Sequence, residues 1–573
     1  MNQETTSPAT TGDGAAKTEA EAAASPRPRW AHRIATAVRL AAIAVVIALS
    51  ALLAPVLPEW FRARSPEVRR GIFELMFRTV LIAYSALVLA GVVGTPLLVF
   101  LASRSRRKSG GRTSRWLLRG LAACAACLIA LVVLEIGSTA WRGWMHRMPA
   151  LPTTFEPSPP GEYRIVVLGG SSALGEPYRP WLSVGQIVAW QLGQAMPDRR
   201  FECQILAWLG DNLEKQHLKL AAIRHRPDAV IIYSGHNEFV ARFENGREER
   251  DPGVDEEPRN WLLQQAYRAS LLSPCCRLAY EVISRNRLDA PPLSGHHSLI
   301  DPPLCSPSEA ANILADFRRR LEAIVSDCDR LRALPILIIP PANEAGFEPS
   351  RSTLPAWATR ADRRWVVDTF TAARAAESSD PSRSAADYTA ILGRFPGFAE
   401  AHFRLARLLE HQGRTAEAGE HYLAALDSDG LPIRCPAPFR EVYREVARRH
   451  PRCILIDGPG ELARISPDGL VGDLAIEDAH HPTLAGYTAL ASAVLREIQD
   501  WQVFPTARPI LLPLDPSACA RHFGMDAARW AEVHRRTGTH YRRVAGYRYD
   551  PAERLEKSRR NLEAAEEKVP RSP

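Results

Sequence analysis

The sequence lacks the cysteine spacing that holds structural zinc. Its ten cysteines show no CxxC…CxxC arrangement. Cys124 and Cys127 fall inside a long apolar run, and Cys275 is followed directly by Cys276. Because spacing alone does not define disulfide pairs, the pairing of the cysteines is left open.

Large apolar side chains are nearly absent from the start of the chain. Residues 1–33 are rich in Ala, Thr, Glu and Pro. Such a segment cannot bury enough surface to offset the entropy of its own chain. We therefore expect a disordered tail over 1–33.

Charge is absent from two long apolar runs and nearly absent from a third. Residues 40–58 and 79–103 contain no charged side chain, and 116–141 is interrupted only near its ends. Each run is long enough, as a helix, to cross roughly 30 Å of hydrocarbon. We predict three transmembrane helices within 34–141. Buried core helices are the alternative, which the clustering of the runs before any globular pattern disfavours.

Acidic residues are missing from the basic loop at 104–115, and arginines also precede the first run. Basic loops stay on the cytoplasmic side. We therefore expect a multi-pass protein of the cytoplasmic membrane, with everything after Trp141 outside the cytoplasm, although the loop at 59–78 mixes both signs. Much of the excess behind the net charge of +8 flanks these runs. Membrane topology and anionic lipid explain it there, so we predict no nucleic-acid partner.

Short apolar runs alternate with helical stretches after a Pro-rich linker at 142–161. The runs lie at 163–169, 201–208, 228–235, 334–341 and 453–458. Continuous apolar runs bounded by turn residues are typical of strands covered on both faces. We predict an α/β fold, a three-layer α/β/α sandwich around a parallel sheet, with its crevice at the carboxyl ends of the strands.

Residues 399–430 interrupt this alternation with small and large apolar residues at helical spacing. They resemble a tetratricopeptide repeat, and a weaker partner lies 34 residues earlier. The signature positions are occupied by Leu405, Ala406, Leu409, Gly413, Ala418, Tyr422 and Ala425. We expect an inserted all-helical repeat segment at 365–432. It either fills out the fold or offers a surface to a protein partner.

Four polar stretches stand at or after the ends of predicted strands. They read GGSS at 169–172, LGDN at 209–212, SGHNEF at 234–239 and EDAHHPTLAGY at 477–487. Each is weak alone: GGSS suits a turn, GHNE suits a loop, and DAHHP suits a solvated loop or a two-histidine metal site. In this order they resemble the four blocks of the SGNH hydrolases, also called GDSL esterases or lipases, over 162–505.

The resemblance assigns roles to individual residues. Ser171 stands at the nucleophile position, His481 at the base and Asp478 at the carboxylate of a catalytic triad. Gly210 and Asn237 occupy the glycine and asparagine blocks. The resemblance implies a flavodoxin-like sandwich and an ester substrate, with acylated glycans or lipids suggested by the external location. It implies no cofactor and no metal.

The chemistry of these residue types agrees with those roles. A serine hydroxyl becomes a nucleophile when a base removes its proton. Asp478, three residues before His481, can fix the tautomer of the imidazole and stabilise the imidazolium. The backbone N–H groups of Ser171 and Gly210 and the side-chain amide of Asn237 can converge as an oxyanion hole.

The match has departures and rivals. Two aspartates of the family are replaced here by Gly170 and Glu238, and the first replacement leaves the serine turn less well anchored. Ser172 is the rival nucleophile and His480 the rival base. His236 and Glu238 either line the pocket or cap a helix.

Two further segments carry expectations. The insertion at 241–300 is either a lid over the substrate or a poorly ordered stretch. The C-terminal extension at 506–573 is expected to be helical and solvated. No GxSxG motif stands at a strand-to-helix junction, which disfavours an α/β-hydrolase.

The sequence thus predicts a membrane-anchored serine esterase of the SGNH type outside the cytoplasm. Two alternatives are open. The same triad can transfer an acyl group to an envelope polysaccharide, and a non-catalytic scaffold can bind protein partners through its repeats.

Overall fold

The computed structural model describes nine stretches of the chain. They are residues 82–108, 115–145, 148–157, 159–239, 273–276, 278, 297–305, 307–504 and 508–567. The chain divides into two compact units, which consist of Met1–Met145 with Leu262–Asn286, and of His146–Trp261 with Arg287–Pro573. The predicted tail, the first apolar run and most of the insertion at 241–300 lie outside the described residues.

The first unit contains two helices that are long and apolar enough to cross a membrane, Ile82–Ser105 and Arg115–Trp141. The first helix includes a π-helical turn at Leu89–Val93 and continues as α1 (Gly94–Lys108). The second lies within α2 (Arg115–Met145). These helices correspond to the second and third predicted runs.

Small residues bring the two helices close together. A Cβ atom built on Gly91 would lie 3.0 Å from Leu128, and one on Gly120 would lie 3.1 Å from Leu98. Large apolar side chains such as Val133 are exposed. Close packing through small residues, with large apolar groups facing outward, is typical of helix pairs in membranes.

Five parallel strands form the sheet of the second unit. They are β1 (Glu162–Gly169), β2 (Arg200–Ile205), β3 (Ala229–Tyr233), β4 (Leu334–Ile338) and β5 (Ile454–Ile456). Their spatial order is β2-β1-β3-β4-β5, and all neighbouring pairs are parallel. The predicted mixed α/β architecture with a parallel sheet is confirmed.

Fourteen α-helices of the second unit surround or extend this sheet within the described residues. They are α3 (Ser171–Leu174), α4 (Val184–Ala195), α5 (Leu213–Leu220), α6 (Pro307–Leu331), α7 (Arg360–Ala376), α8 (Pro381–Arg394), α9 (Ala399–His411), α10 (Thr415–Asp427), α11 (Ala437–Arg449), α12 (Gly458–Ala463), α13 (Leu484–Asp500), α14 (Pro516–His522), α15 (Ala527–Ala545) and α16 (Ala552–Glu567).

Alternate residues of β1 enter two different apolar clusters. Ile165 and Val167 pack with α4 and α13, whereas Val166 and Leu168 pack with α5, α6 and α11. Successive side chains of a strand point to opposite faces, so both faces of the sheet are covered. This explains why the predicted strands are continuous apolar runs rather than alternating ones.

The repeat segment lies between β4 and β5 in the chain and consists of α7, α8, α9 and α10. It has an apolar core of its own, which includes Tyr388 and Tyr422. Ala345 and Leu470, from outside the four helices, pack against this core. The repeat helices therefore form an insertion that is attached to the rest of the second unit.

The linker and the C-terminal extension are more buried than expected. Leu151 and Phe155 of the predicted linker pack against the sheet cluster of α5, α6 and α11. The expectation that the extension is solvated is wrong. Tyr541 is buried against Phe347, and the Arg554 guanidinium lies 3.9 Å from the centre of the Phe347 ring.

Buried carboxylates explain how a basic extension packs inside the unit. Arg548 donates to Glu400 of α9 at 3.1 and 3.2 Å, and Arg554 pairs with Glu348 at 3.4 Å. Burial would raise the pKa of Glu400, but the charges of Arg548 and Arg404 hold it below its usual value. One buried ion pair thus ties the extension to the repeat, and a second ties it to the segment between β4 and the repeat.

Replacing Arg548 by Met should destabilise the protein by about 3–5 kcal/mol, because Glu400 would lose a buried partner. Arg407→Met is the matched control. Arg407 also joins α9 to the extension, through Glu553, but both side chains are about one third exposed, so a change under about 1 kcal/mol is expected. Thermal unfolding in detergent measures both.

The lowered pKa of Glu400 gives the Arg548 prediction a pH signature. A carboxylate whose pKa is lower in the folded state stabilises the fold at pH values above its unfolded-state pKa. This stabilisation is lost as the pH falls through the folded-state pKa. The difference between wild type and Arg548→Met should therefore shrink on acidification below the usual glutamate pKa. Equal effects of the two substitutions at neutral pH would contradict the assignment.

Candidate active site

Ser171 lies at the turn that follows the first strand. β1 ends at Gly169, Gly170 precedes the short helix α3, and Ser171 is its first residue. The Ser171 side chain is buried at the carboxyl edge of the sheet. A Cβ atom on Gly170 would lie 2.1 Å from Nδ2 of Asn237. In this conformation any side chain at position 170 would therefore displace the amide.

His481 joins Ser171 to Asp478 by two short hydrogen bonds. Nε2 of His481 lies 2.7 Å from Oγ of Ser171. Nδ1 of the same ring lies 2.7 Å from Oδ2 of Asp478. With the ring proton on Nδ1, the imidazole donates to the carboxylate and accepts from the hydroxyl. This is the relation that a serine nucleophile and its base require.

The backbone of its own loop holds the Asp478 carboxylate in place. Oδ1 accepts the backbone N–H groups of His480 and His481, both at 3.1 Å. Asn343 donates its side-chain amide to the Asp478 carbonyl at 2.9 Å. Burial would raise the pKa of Asp478, but the His481 charge and hydrogen bond hold it well below its usual value. The carboxylate is therefore ionised beside the imidazole.

The rival residues have other partners. Ser172 donates its hydroxyl to the His480 carbonyl at 3.0 Å, which ties the serine turn to the histidine loop. The His480 ring stacks on His236, with 4.5 Å between centroids. Burial keeps the pKa of His480 well below its usual value. The structure thus brings Ser171, and not Ser172, to the imidazole of His481.

Asn237 and Gly210 lie next to the serine turn. Nδ2 of Asn237, which faces Gly170, also donates to the Asp211 carbonyl at 3.1 Å. Gly210 has a φ of +71°, a conformation that favours glycine. The predicted oxyanion-hole residues therefore belong to one group of adjoining loops at the ends of β1, β2 and β3.

Glu238 and His236 have structural contacts that the sequence left undecided. Glu238 accepts the backbone N–H of Leu213 at 3.2 Å and thereby caps α5. Burial raises the pKa of Glu238 to about 8. His236 accepts the backbone N–H of Cys435 on Nδ1 at 3.1 Å. Of the two predicted roles, pocket lining and helix capping, the contacts of Glu238 agree with helix capping.

Two residues beside Asp478 were missed by the sequence analysis. Asn343 follows β4. Because polar residues that follow parallel strands lie at one edge of the sheet, its position after β4 could have indicated a place in the site. His540 belongs to α15, and its Nε2 lies 3.8 Å from Oδ2 of Asp478. Nothing in the local pattern distinguishes this histidine from a solvated one.

One group among the described residues is close enough to hold a metal ion. Asp478, His481 and His540 each offer a ligand atom, all within 4.8 Å of one another. Asp478 and His481 already form the 2.7 Å hydrogen bond, which an ion would have to displace. We assign no metal to this group, and the expectation of a metal-free site stays a prediction.

The comparisons with known proteins concern the repeat segment. Residues 372–430 match the tetratricopeptide repeat family. The matched range lies within the predicted insertion at 365–432 and supports the repeat resemblance. No curated protein and no solved structure matches the chain. The SGNH resemblance stays a prediction carried by the residues described above.

Replacing Glu238 by Gln should remove a pH-dependent loss of stability. The pKa of Glu238 is raised to about 8 by burial. A carboxyl group whose pKa is raised in the folded state makes its full contribution to stability below its unfolded-state pKa, about 4.5. This contribution is lost as the pH rises toward 8. The melting temperature of Glu238→Gln relative to wild type should therefore increase from pH 5 to pH 8. Parallel melting curves for the two proteins across this range would contradict the prediction.

Proposed function

We propose that this protein is a serine hydrolase of the SGNH type that cleaves carboxylic esters. The observation that carries the proposal is the hydrogen-bonded series Ser171–His481–Asp478, with 2.7 Å at each step. All three side chains are at least nine-tenths buried, so their interactions are weakly screened by water. The order of a serine, a histidine and a carboxylate is the one that activation of a serine nucleophile requires.

The reaction follows from these positions. His481 takes the proton of the Ser171 hydroxyl on Nε2 while Oγ attacks the ester carbonyl. The tetrahedral intermediate collapses, the C–O bond to the alcohol breaks, and His481 returns the proton to the leaving alkoxide. A water molecule, deprotonated by the same imidazole, then cleaves the acyl-enzyme. Asp478 orients the ring and stabilises its charged form throughout.

Adjoining loops can supply the oxyanion donors. A primary amide carries two hydrogens, and Asn237 uses one for the Asp211 carbonyl. The second has no acceptor among the described residues, and we propose that it donates to a substrate oxygen. The backbone N–H groups of Ser171 and Gly210 complete the proposed hole. Each such donor is typically worth about 3–4 kcal/mol of barrier.

The strand order supports the fold assignment. The order 2-1-3-4-5 of parallel strands is the one found in flavodoxin-like sandwiches, whose ligands bind at the carboxyl ends of the strands. The four sequence blocks that resemble the SGNH hydrolases stand at these ends or in the loop after β5. Topology and motif order therefore support the same family.

The helices of the first unit support a membrane location. We propose that the chain lies in the cytoplasmic membrane, with the hydrolase unit outside. Two helices of sufficient length and apolarity and the basic loop at 104–115 support this location. A substrate such as an acylated glycan or lipid of the envelope is consistent with that side.

The repeat match favours a second role, the binding of a protein partner. Repeat helices present extended surfaces for such contacts. On α9, however, Glu400 and Arg407 are engaged by Arg548 and Glu553 of the extension. A partner would therefore use a face of the repeat that the extension leaves exposed.

Ser171→Ala should reduce kcat for a short-chain aryl ester by at least about 10⁴-fold, as expected for loss of a triad nucleophile. The matched control is Ser172→Ala, which removes the neighbouring hydroxyl but leaves the triad. Both rates are measured in the full chain, along with labelling by a fluorophosphonate probe. Loss of labelling in Ser172→Ala alone would refute the assignment. Product analysis with an acetylated glycan and a sugar acceptor then distinguishes hydrolysis from acyl transfer.

The proposed topology predicts opposite results for two reporter fusions. Alkaline phosphatase, which folds only outside the cytoplasm, should be active when fused after Trp141 and inactive when fused after Lys108, in the basic loop. Activity in intact cells measures both. The reverse pattern would place the candidate active site in the cytoplasm.

A further inference from the structure

A histidine from the C-terminal extension faces the carboxylate of the proposed triad. Nε2 of His540 lies 3.8 Å from Oδ2 of Asp478, and the His540 and His481 rings are 5.2 Å apart at nearly right angles. The His540 Nε2 atom is buried and has no hydrogen-bond partner among the described residues. A buried polar atom without a partner requires an explanation.

The other ring nitrogen defines where the proton of His540 lies. A guanidinium nitrogen of Arg543 is 3.1 Å from Nδ1 of His540. Arginine can only donate, so Nδ1 is the acceptor. Burial lowers the pKa of His540 to about 3, which leaves the ring neutral at ordinary pH. Its one proton is therefore on Nε2, the nitrogen that faces Asp478.

We infer that His540 is a positioning residue that presents its Nε2–H to Oδ2 of Asp478 and so orients the carboxylate toward His481. The inference rests on the proposed function. Oδ1 of Asp478 is already held by two backbone N–H groups. Oδ2 carries the bond to His481, and His540 is the second donor directed at this oxygen.

The separation of 3.8 Å is longer than a hydrogen bond. In this conformation the interaction is that of an N–H dipole with an ionised carboxylate. Catalytic hydrogen bonds in unliganded enzymes are often long and shorten when substrate binds.

The surrounding packing holds His540 in this place. The next residue, Tyr541, is buried against Phe347. Ser558 of α16 donates to the Gly538 carbonyl of α15 at 2.7 Å, which joins the two helices of the extension. Arg554 lies over Phe347. These contacts fix the helix that carries His540, and the His540 ring itself packs against the rings of His480 and His481.

The polar groups around this site come from several elements. The groups that act on His540 or on the Asp478–His481 pair are His236, His480, Glu477, Arg543 and Arg554. The positive end of the His540 N–H dipole points toward the Asp478–His481 pair. It should make protonation of the base less favourable. Loss of the dipole should therefore move the acid limb of the kcat/KM profile to higher pH.

Two substitutions at position 540 and one control test the inference in the full chain. His540→Phe keeps a ring but removes the donor, and His540→Gln keeps an N–H group near the position of Nε2. The control is His534→Gln. His534 lies on the same helix as His540, but its hydrogen-bond contact is to Asn561 of α16. The kcat/KM for a short-chain aryl ester is measured from pH 5 to pH 9 with a metal chelator present, and thermal unfolding monitors folding.

We expect His540→Phe to lose about tenfold in kcat/KM, the size of one hydrogen-bond donor, and to shift the acid limb to higher pH. His540→Gln and His534→Gln should stay within about threefold of wild type, with the acid limb unmoved. A wild-type rate and profile in His540→Phe would overturn the inference. So would a His540→Gln enzyme that is folded and has the same defect and limb shift as His540→Phe.

A second readout separates this inference from the proposed function. The Nδ1–H proton of His481, bonded to Asp478, should give a downfield ¹H NMR signal that requires no turnover. Its position should change in His540→Phe and be retained in His540→Gln and His534→Gln. If the wild-type chain hydrolyses no ester, the proposed function fails, and this signal still tests the contact. An unchanged signal in His540→Phe refutes it.

Discussion

The hydrogen bond between Asp478 and His481 is the interaction on which the site depends. Both side chains are buried, and an ionised carboxylate in such a place is costly unless it is paired and hydrogen-bonded. The loop therefore devotes two backbone N–H groups to Oδ1 of Asp478, and Asn343 holds the backbone of the same residue. The parallel sheet brings Ser171 to the free nitrogen of the imidazole. Reactivity follows from an arrangement that first satisfies a buried charge.

The sheet and the core of the site could be predicted because local patterns carry them. The inner strands β3 and β4 are buried on both faces, so each is a short apolar run that ends at turn residues. The loops that follow parallel strands lie at one edge of the sheet. The sequence alone therefore predicts that the serine and asparagine blocks are neighbours. The order of the blocks then suggested which serine and which histidine meet, and the distances among Ser171, His481 and Asp478 agree with that pairing.

The contribution of the extension could not be predicted, because its burial depends on partners far away in the chain. By sequence, Arg548 and Arg554 resemble surface residues of a basic segment. They are buried because Glu400 and Glu348 lie opposite them. His540 likewise has no local signature, since its only distinction is the carboxylate it faces. The packing of Leu151 and Phe155 could not be predicted either. The prolines around them indicate an extended linker, and this pattern does not depend on whether the side chains pack.

The separation of the site residues along the chain has a consequence for biosynthesis. Ser171 and His481 are 310 positions apart, with the whole repeat segment between them, and His540 comes later still. The serine leaves the ribosome well before its base has been translated. Under the proposed function, no nascent chain short of the histidine loop contains an activated nucleophile. The proposed ester hydrolysis therefore begins only after the loop that carries His481 has been translated.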